Sequence, residues 1–284
     1  MSRMGLPSGA TRLTRRDVLK GVAAAGVGVA AGMGAHGFFY ERHHVEVTRA
    51  TLTVSGLPEA LSGFRVGLLT DIHRSATVPH ELIARAVDLL LAEATDLIIL
   101  GGDYISFGDR TFADAAADVL APLNAPFGVF GVIGNHDDDR DVPGALARRG
   151  IEMLLDARTR LTVRGEALDV IGIRYWTRKI ADIAKVARGA TPASIFISHT
   201  PMRLAEAAAL GLPLMLSGHT HGGQVVLPVL GPIAAHGFPI IAGEGRRENT
   251  TGFVSRGVGT VYIPVRVQCP PEVAVLTLRP PEIA

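Results

Sequence analysis

The stretch Val129-Phe130-Gly131-Val132-Ile133-Gly134-Asn135-His136-Asp137 is the most informative in this chain. Its first five residues form an apolar run of the kind that makes a buried strand. Three side chains with metal or proton chemistry follow at once, after a glycine that permits a tight turn. In open α/β sheets, functional groups gather at the carboxyl ends of strands, so this stretch predicts a strand that delivers a site.

Four further apolar runs end in the same way. The run at 66–69 leads to Asp71 and His73, and the run at 97–100 leads to Asp103. The run at 195–197 leads to His199, and the run at 212–216 leads to His219 and His221. Each element alone has an ordinary explanation as a helix cap or a turn. Because strand ends share one edge of a sheet, their joint occurrence predicts a single site made from five loops.

Amphipathic segments alternate with these runs, which predicts an α/β fold with two sheets. Helical periodicity occupies residues 80–92, 112–120, 143–149, 180–187 and 201–210. An alternating segment at 45–54 predicts an antiparallel strand. Further strands are predicted at 161–163, 168–173, 254–255, 261–263 and 273–278.

Composition narrows the function classes. With 48% apolar and 19% charged residues the chain has material for a large core, and no nucleic-acid-binding surface is evident. The single cysteine, Cys269, excludes an internal disulfide and a thiolate metal cluster. Cys269 itself is expected to be a small buried hydrophobe rather than a reactive thiol. Metal ligands would therefore be His, Asp, Glu or Asn.

The first 35 residues differ from the rest in charge. They carry five basic residues and one acid (5 − 1 = +4), whereas the remainder carries 23 − 26 = −3. A basic start followed by the Ala/Gly/Val run at 21–35 is typical of an export signal. The segment Thr14-Arg15-Arg16-Asp17-Val18-Leu19-Lys20 resembles a twin-arginine signal, with Val18 where Phe is more usual.

We therefore predict an export signal at 1–35, with the twin-arginine translocation machinery as a partner. The protein would then lie in the periplasm or on the outer face of the cytoplasmic membrane. A chance arginine pair is one alternative. An uncleaved anchor is another, because residues 21–40 approach the length of a membrane span.

The five strand-end motifs together resemble those of the calcineurin-like metallophosphoesterases, in the same order, over residues 45–278. The motifs are Asp71-x-His73, Gly102-Asp103, Gly134-Asn135-His136-Asp137, His199 and Gly218-His219-Thr220-His221. The extension to Gln224 followed by Pro228, and the segments 253–259 and 269–272, resemble the exported bacterial branch of that family.

The resemblance implies a four-layer α/β/β/α sandwich of two mixed β-sheets, in a domain spanning 43–284. It implies two divalent metal ions, with Mn, Fe and Zn all compatible with the donors. Asp71, His73 and His221 would hold the first, while Asn135, His199 and His219 would hold the second. Asp103 would bridge them. Two ions can clamp the attacking and leaving oxygens at phosphorus, with a metal-bridging hydroxide as nucleophile.

The resemblance also implies a catalytic role for His136, facing the phosphate to stabilise charge and to protonate the leaving oxygen if the ring is cationic. A structural histidine is the alternative. Asp137 would either orient His136 or cap the following turn. Gly134, Gly218 and Gly222 are expected to permit tight turns near the metals.

Departures from the wider family limit the substrate class. Residues 104–107 lack the Asp and Arg that phosphoprotein phosphatases carry after Gly-Asp, which argues against protein dephosphorylation. The basic and aromatic segment at 172–176 either lines a substrate pocket or packs as ordinary surface or core. Arg256 and Arg266 either bind phosphate oxygens or form surface salt bridges.

The sequence thus predicts an exported phosphoesterase that hydrolyses phosphodiester or phosphomonoester bonds. The expected substrates are cell-envelope phosphoesters, including lipid or sugar-nucleotide head groups, with membrane association as a further expectation. A non-catalytic metal-binding protein that retains the fold is the alternative.

Overall fold

The computed structural model of the chain describes residues 14–282. In that part the helices, apart from short 3₁₀ turns, are α1 (Arg15–Phe39), α2 (His80–Ala92), α3 (Ala113–Leu120), α4 (Asp141–Ala147), α5 (Ile180–Ala187) and α6 (Leu204–Ala209). The strands are β1 (Glu46–Thr53), β2 (Arg65–Leu69), β3 (Leu97–Leu100), β4 (Val129–Gly131), β5 (Glu152–Met153), β6 (Ala157–Val163), β7 (Glu166–Gly172), β8 (Ser194–Ile197), β9 (Leu214–Ser217), β10 (Val226–Leu227), β11 (Gly231–Pro232), β12 (Gly243–Arg247), β13 (Thr250–Val254) and β14 (Glu272–Arg279).

Two six-stranded mixed sheets form the centre of the molecule. The first has the order β1-β14-β2-β3-β4-β5 and the second β12-β13-β9-β8-β7-β6. Strands β2 to β5 run parallel, as do β7, β8, β9 and β13, while β14 runs antiparallel to β2. The loops after β2, β3, β4, β8 and β9 carry the predicted site.

Three layers of apolar contact hold this arrangement together. Between the sheets, buried side chains such as Leu68 and Ile99 pack against Ile195 and Leu216. Helices α2, α3 and α4 cover the outer face of the first sheet, and α5 and α6 cover that of the second. Strands buried on both faces read as continuous apolar runs, which is why the sequence shows them so clearly. The four-layer α/β/β/α sandwich is confirmed.

The predicted helices at 80–92 and 180–187 match α2 and α5 residue for residue, and those at 112–120, 143–149 and 201–210 correspond to α3, α4 and the segment containing α6. Two strand predictions were wrong. Residues 45–54 form β1, but it pairs parallel with β14 at the edge of the sheet. Its alternation reflects one exposed face rather than strand direction. Residues 261–263 form a loop instead of a strand, because Tyr262 has a φ of 61° and points into solvent.

Helix α1 begins where the twin-arginine-like segment begins. Thr14 caps it, and its hydroxyl accepts a hydrogen bond from the Asp17 N–H at 3.2 Å, as in a capping box. The helix is long and apolar enough to cross a membrane, a property that a signal sequence near the N-terminus shares. The earlier part of the predicted signal, residues 1–13, lies outside the described residues.

Candidate metal centre

The five strand-end loops meet at one place between the two sheets. There they bring together all seven predicted metal ligands and His136. We call the ligand-bearing loops (residues 71–73, 101–103, 134–136, 199 and 219–221) the floor of the site. Six of the seven ligand side chains form two groups of three, and within each group the donor atoms lie within 4.8 Å of one another; the groups are Asp71, His73 and His221, and Asp103, His199 and His219.

The first group is buried. The Nε2 atom of His221 lies 3.1 Å from Nε2 of His73 and 3.5 Å from Oδ1 of Asp71. Two imidazole nitrogens and a carboxylate oxygen that converge in this way leave their lone pairs facing one another. A shared cation is the ordinary reason for such an arrangement.

One member of the second group, Asp103, also lies close to the first group. The Oδ2 atom of Asp103 is 3.1 Å from Nε2 of His199 and 3.6 Å from Nε2 of His73. Asp103 therefore contacts both groups, which is the placement a bridging carboxylate requires. The Nδ1 atom of His219 lies 3.2 Å from Nε2 of His199.

A separate observation, at Asn135, also indicates that the site suits divalent metal ions. The side-chain oxygen of Asn135 is buried and has no hydrogen-bond partner among the described residues. A buried amide oxygen without a partner is costly unless a cation satisfies it. Nδ1–H of His199 donates to the Gly101 carbonyl at 2.7 Å, which leaves Nε2 free as a ligand.

Burial sets the protonation of the floor. It lowers the pKa of His73 to about 4 and of His219 to about 3, so both rings are neutral near pH 7 and offer a lone pair. Burial also raises the pKa of Asp71 to about 6. Burial alone would lower the pKa of His199, but the Asp103 carboxylate beside it raises that pKa to about 9.

The backbone of the floor is held in an uncommon conformation. Five of the predicted ligands have positive φ angles between 47° and 74°, namely Asp71, His73, Asp103, His219 and His221. Side-chain-bearing residues adopt this region at a cost, and such strain concentrates at functional sites. The surrounding hydrogen bonds must therefore enforce the arrangement.

Two of the predicted glycines are needed because the ligands pass so close to them. A Cβ atom on Gly134 would lie 2.0 Å from Oδ1 of Asp103, and one on Gly218 would lie 2.1 Å from Oδ2 of Asp71. No side chain fits at either distance. These glycines let the backbone approach the carboxylates of two predicted ligands.

A backbone group orients His136. The Phe107 N–H donates to Nδ1 of His136 at 3.0 Å, which places the ring proton on Nε2 when the ring is neutral. Burial lowers the pKa of His136 and so favours this neutral form. Nε2–H is then a hydrogen-bond donor. This contact could not be predicted from residue types, because the donor is a main-chain group of another loop.

Asp137 does not orient His136 but joins two loops. Its carboxylate accepts hydrogen bonds from the backbone N–H groups of Asp103, Tyr104 and Gly134 at 2.7 to 2.8 Å, and from Ile105 at 3.2 Å. A carboxylate can satisfy several donors at once, and here it fixes the loop after β3 to the loop after β4. Asp137 is thus a structural clamp beneath the ligands.

The two arginines of the late segment are structural as well. Arg256 forms ion pairs with Glu46 and Glu272, each at 3.3 Å, as the salt-bridge alternative predicts. Arg266 is fully buried and donates to the main-chain carbonyls of Gly257 and Gly259, so neither a phosphate-binding nor a surface role holds for it. Cys269 is buried as expected, and its Sγ lies 3.1 Å from the His221 carbonyl oxygen.

The residues of the basic and aromatic segment at 172–176 have two different roles. Arg174 pairs with Asp156 at 2.8 Å and is structural, whereas the Tyr175 ring lies 5.6 Å from the ring of His219. Tyr175 therefore borders the site. Arg178, which the sequence did not single out, lies 5.7 Å from the Tyr175 ring and adds a cation beside it.

A cavity of about 430 Å³ opens above the floor. Asp103, Asn135, His136, His219 and His221 line its polar side. Its apolar lining includes Val225 and Ile233 from one loop and Val261 and Tyr262 from another. We call these two loops, residues 225–235 and 261–264, the apolar rim. Gln224 ties these loops together, since its side-chain amide donates to the carbonyls of Val261 and Ile263.

Comparisons with known proteins agree with this site. A model of the calcineurin-like phosphoesterase family matches residues 64–223. An uncharacterized metallophosphoesterase of Bacillus subtilis, YkuE, is 29% identical over 94% of this chain and 98% of its own. The phosphodiesterase YaeI of Escherichia coli is 31% identical over 76% of this chain and 82% of its own.

Among solved structures, the NAD nucleotidase of Haemophilus influenzae aligns with a TM-score of 0.49 and 14% identity, over 69% of this chain and 45% of that chain. The family model spans more than half of the 284 residues and contains every strand-end motif. On that match, and on the Escherichia coli relative, this chain belongs to the calcineurin-like phosphoesterase family.

Proposed function

We propose that this protein is a dinuclear metal-dependent phosphodiesterase that acts on phosphoesters of the cell envelope. The observation that carries the proposal is the pair of ligand groups that Asp103 contacts together. Family membership and the likeness to a relative named as a phosphodiesterase support the reaction class.

Asp71, His73 and His221 would hold one cation and Asn135, His199 and His219 the other, with Asp103 between them. Imidazole, carboxylate and amide donors suit Mn, Fe or Zn. Such cations, when bound, supply an activated water and neutralise charge on the phosphoryl group. Each imidazole that binds a cation must present an unprotonated nitrogen.

The chain's own contribution centres on His136. With Nδ1 occupied by the Phe107 N–H, the ring presents Nε2–H, and His136 is one of the residues that line the cavity. A donor at this position would stabilise the negative charge that develops on a phosphoryl oxygen. The neutral ring makes His136 a hydrogen-bond donor in our proposal, rather than the cationic acid that would protonate a leaving group.

The location of the enzyme is part of the proposal. The basic start, the twin-arginine-like segment and the exposed apolar helix α1 together support export, with the translocation machinery as a partner. An enzyme on the outer face of the membrane would meet phosphodiesters of envelope lipids or sugar nucleotides. The cavity suits such molecules because it pairs a polar floor with an apolar wall.

Elemental analysis of the natively purified protein, combined with turnover of a soluble aryl phosphodiester and the matching monoester, tests the proposal. We expect about two divalent ions per chain and faster diester turnover, because two-metal sites serve this chemistry. Bound metal without turnover of either ester would instead favour a metal-binding protein that keeps the fold. Protein without metal would overturn the proposal.

A further inference from the structure

Helix α1 joins the body of the protein without a linker. Gly37, in its last turn, is buried, and its carbonyl accepts a hydrogen bond from the Arg266 N–H at 3.3 Å. A Cβ atom on Gly37 would lie 2.2 Å from the Arg266 carbonyl oxygen, so the two backbones are in direct contact. Residues 40–45 alone separate the end of α1 from the start of β1.

The loop that receives the helix also builds the mouth of the cavity. Arg266 is only two residues from the apolar rim segment 261–264. There the Tyr262 ring lies 6.2 Å from the ring of His136. The Val226 N–H donates to the Val267 carbonyl at 2.9 Å, which fastens the other rim loop to the same segment. The end of α1, both rim loops and the active site therefore form one connected surface.

The rim is apolar, exposed and uncharged. Val229 and Leu230 form the tip of the β10–β11 hairpin, where Val229 is fully exposed and Leu230 is 75% exposed. Tyr262 is 80% exposed. No Asp, Glu, Lys or Arg occurs from 222 to 243 or from 257 to 265. Exposed apolar patches without charge mark surfaces that contact a partner.

The neighbouring helix indicates which partner covers the rim. Its apolar residues, including Leu19 and Val27, are exposed along its length, and the aromatic residues Phe39 and Tyr40 are exposed where it meets the body. Aromatic rings at the end of an apolar helix are typical of a membrane interface. A helix that spans a bilayer and ends against Arg266 would hold the rim at the lipid surface.

We infer that the apolar rim docks on a lipid bilayer beside an uncleaved α1, so that the cavity opens towards the lipid. The substrate class is then a phosphoester head group carried by an amphiphile in that bilayer, whose apolar part lies along the rim. This inference rests on the proposed phosphodiesterase function for its substrate, but the docking itself is a separate property.

The test uses the full chain in vesicles of phosphatidylethanolamine and phosphatidylglycerol in which part of the acyl chains are brominated. Trp176 is the single tryptophan, so a Trp176→Phe background allows one reporter to be added at a time. One variant carries Leu230→Trp. The control carries Glu166→Trp, at an exposed position where β7 begins. Because β7 runs parallel to β8, residue 166 lies at the end of the sheet away from the site.

We expect brominated lipid to quench Trp at 230 roughly threefold more strongly than Trp at 166, because an apolar tip enters the acyl boundary. Equal, weak quenching at both positions, with 230 open to a water-soluble quencher, would overturn the inference. Protection of 230 from both quenchers would also overturn it, since a second copy or another protein would then cover the rim.

Turnover of a soluble aryl diester, measured on the same samples, separates the two proposals. Lipid quenching at 230 without turnover would support the docking and contradict the phosphodiesterase. Turnover without lipid quenching at 230 would support the phosphodiesterase and contradict the docking. An N-terminus near Ala35 in the purified protein would contradict the uncleaved helix.

Discussion

The floor and the apolar rim enclose the same cavity, but different forces hold them. On the floor, Asp71 is fully buried and both of its carboxylate oxygens lie 3.0 Å from the His219 backbone nitrogen. On the rim, Val229 projects wholly into solvent. Buried charge must be paired and hydrogen-bonded, so it fixes geometry, whereas an exposed apolar tip gains its energy only when something covers it. The floor is thus held by buried, hydrogen-bonded polar groups, whereas the tip of the rim is left exposed.

The largest effect should come from removing the carboxylate that both ligand groups contact. We expect Asp103→Ala to lose bound metal and to lower diester turnover by about a thousandfold or more, because the proposed two-ion arrangement depends on this carboxylate. Elemental analysis and steady-state kinetics measure both. Asp169→Ala is the matched control, since Asp169 is equally buried but lies in β7 and pairs with Arg160. Similar metal loss in the two variants would contradict a special role for Asp103.

Removing His136 should separate chemistry from metal binding. We expect His136→Ala to keep the metal content of the wild type and to lose roughly a hundredfold in kcat, the usual cost of one donor to a developing charge. Metal content and single-turnover rates provide the measurement. Wild-type turnover with metal intact would show that His136 is only structural.

The pH dependence tests which form of His136 is active. Burial lowers the pKa of His136 below its ordinary value, so the ring stays neutral through neutral pH and gains a proton only in acid. Protonation at Nδ1 would break the bond from Phe107. We expect kcat to fall about tenfold per pH unit below that pKa, and this decline to be absent in His136→Gln. A rate that rises as pH falls through the same range would instead identify a cationic acid.

Replacing the buried carboxylate of Asp169, which lies away from the floor, should have a smaller effect, and only on the free energy of unfolding. Burial would raise the pKa of Asp169, but the Arg160 side chain and the Thr191 N–H lower it below the usual value. A depressed pKa gives stability above the unfolded-state pKa that is lost as pH falls through the folded one. Since Arg160 is half exposed, we expect Asp169→Ala to lower the free energy of unfolding by about 1 to 2 kcal/mol near pH 7. The difference from wild type should shrink below about pH 4, as denaturant titration would show. A difference that does not change with pH would contradict the ion pair.

The smallest effect belongs to the rim. We expect Val229→Ser with Leu230→Ser to change soluble diester turnover by less than about twofold and the unfolding free energy by less than about 0.5 kcal/mol, because both side chains are exposed. Kinetics and thermal unfolding check this. A large loss with a soluble substrate would mean that the tip shapes the floor, and the two regions would no longer be independent.

The sequence predicted the floor better than the rim, for a physical reason. Strands buried on both faces produce continuous apolar runs, so the end of each run marks the position of a ligand such as His199 or His219. Apolarity alone does not say what covers a residue. Residues 261–263 therefore read as a strand, although the protein leaves Tyr262 in solvent.

Two other features could not be predicted from residue type. The positive φ of Asp71 and Asp103 and the bond from the Phe107 N–H to His136 depend on main-chain geometry between loops far apart along the chain. The edge position of β1 likewise follows from long-range pairing. The seven metal-ligand assignments remain predictions, which the placement of their side chains supports.

The position of β14 bears on when the enzyme can form during its synthesis. This strand follows every other described strand along the chain, yet it lies between β1 and β2 in the first sheet. Until β14 has been made, β2 lacks one of its two neighbours in the sheet and can pair only with β3. Native folding of the first sheet must therefore wait until residue 279 has been made.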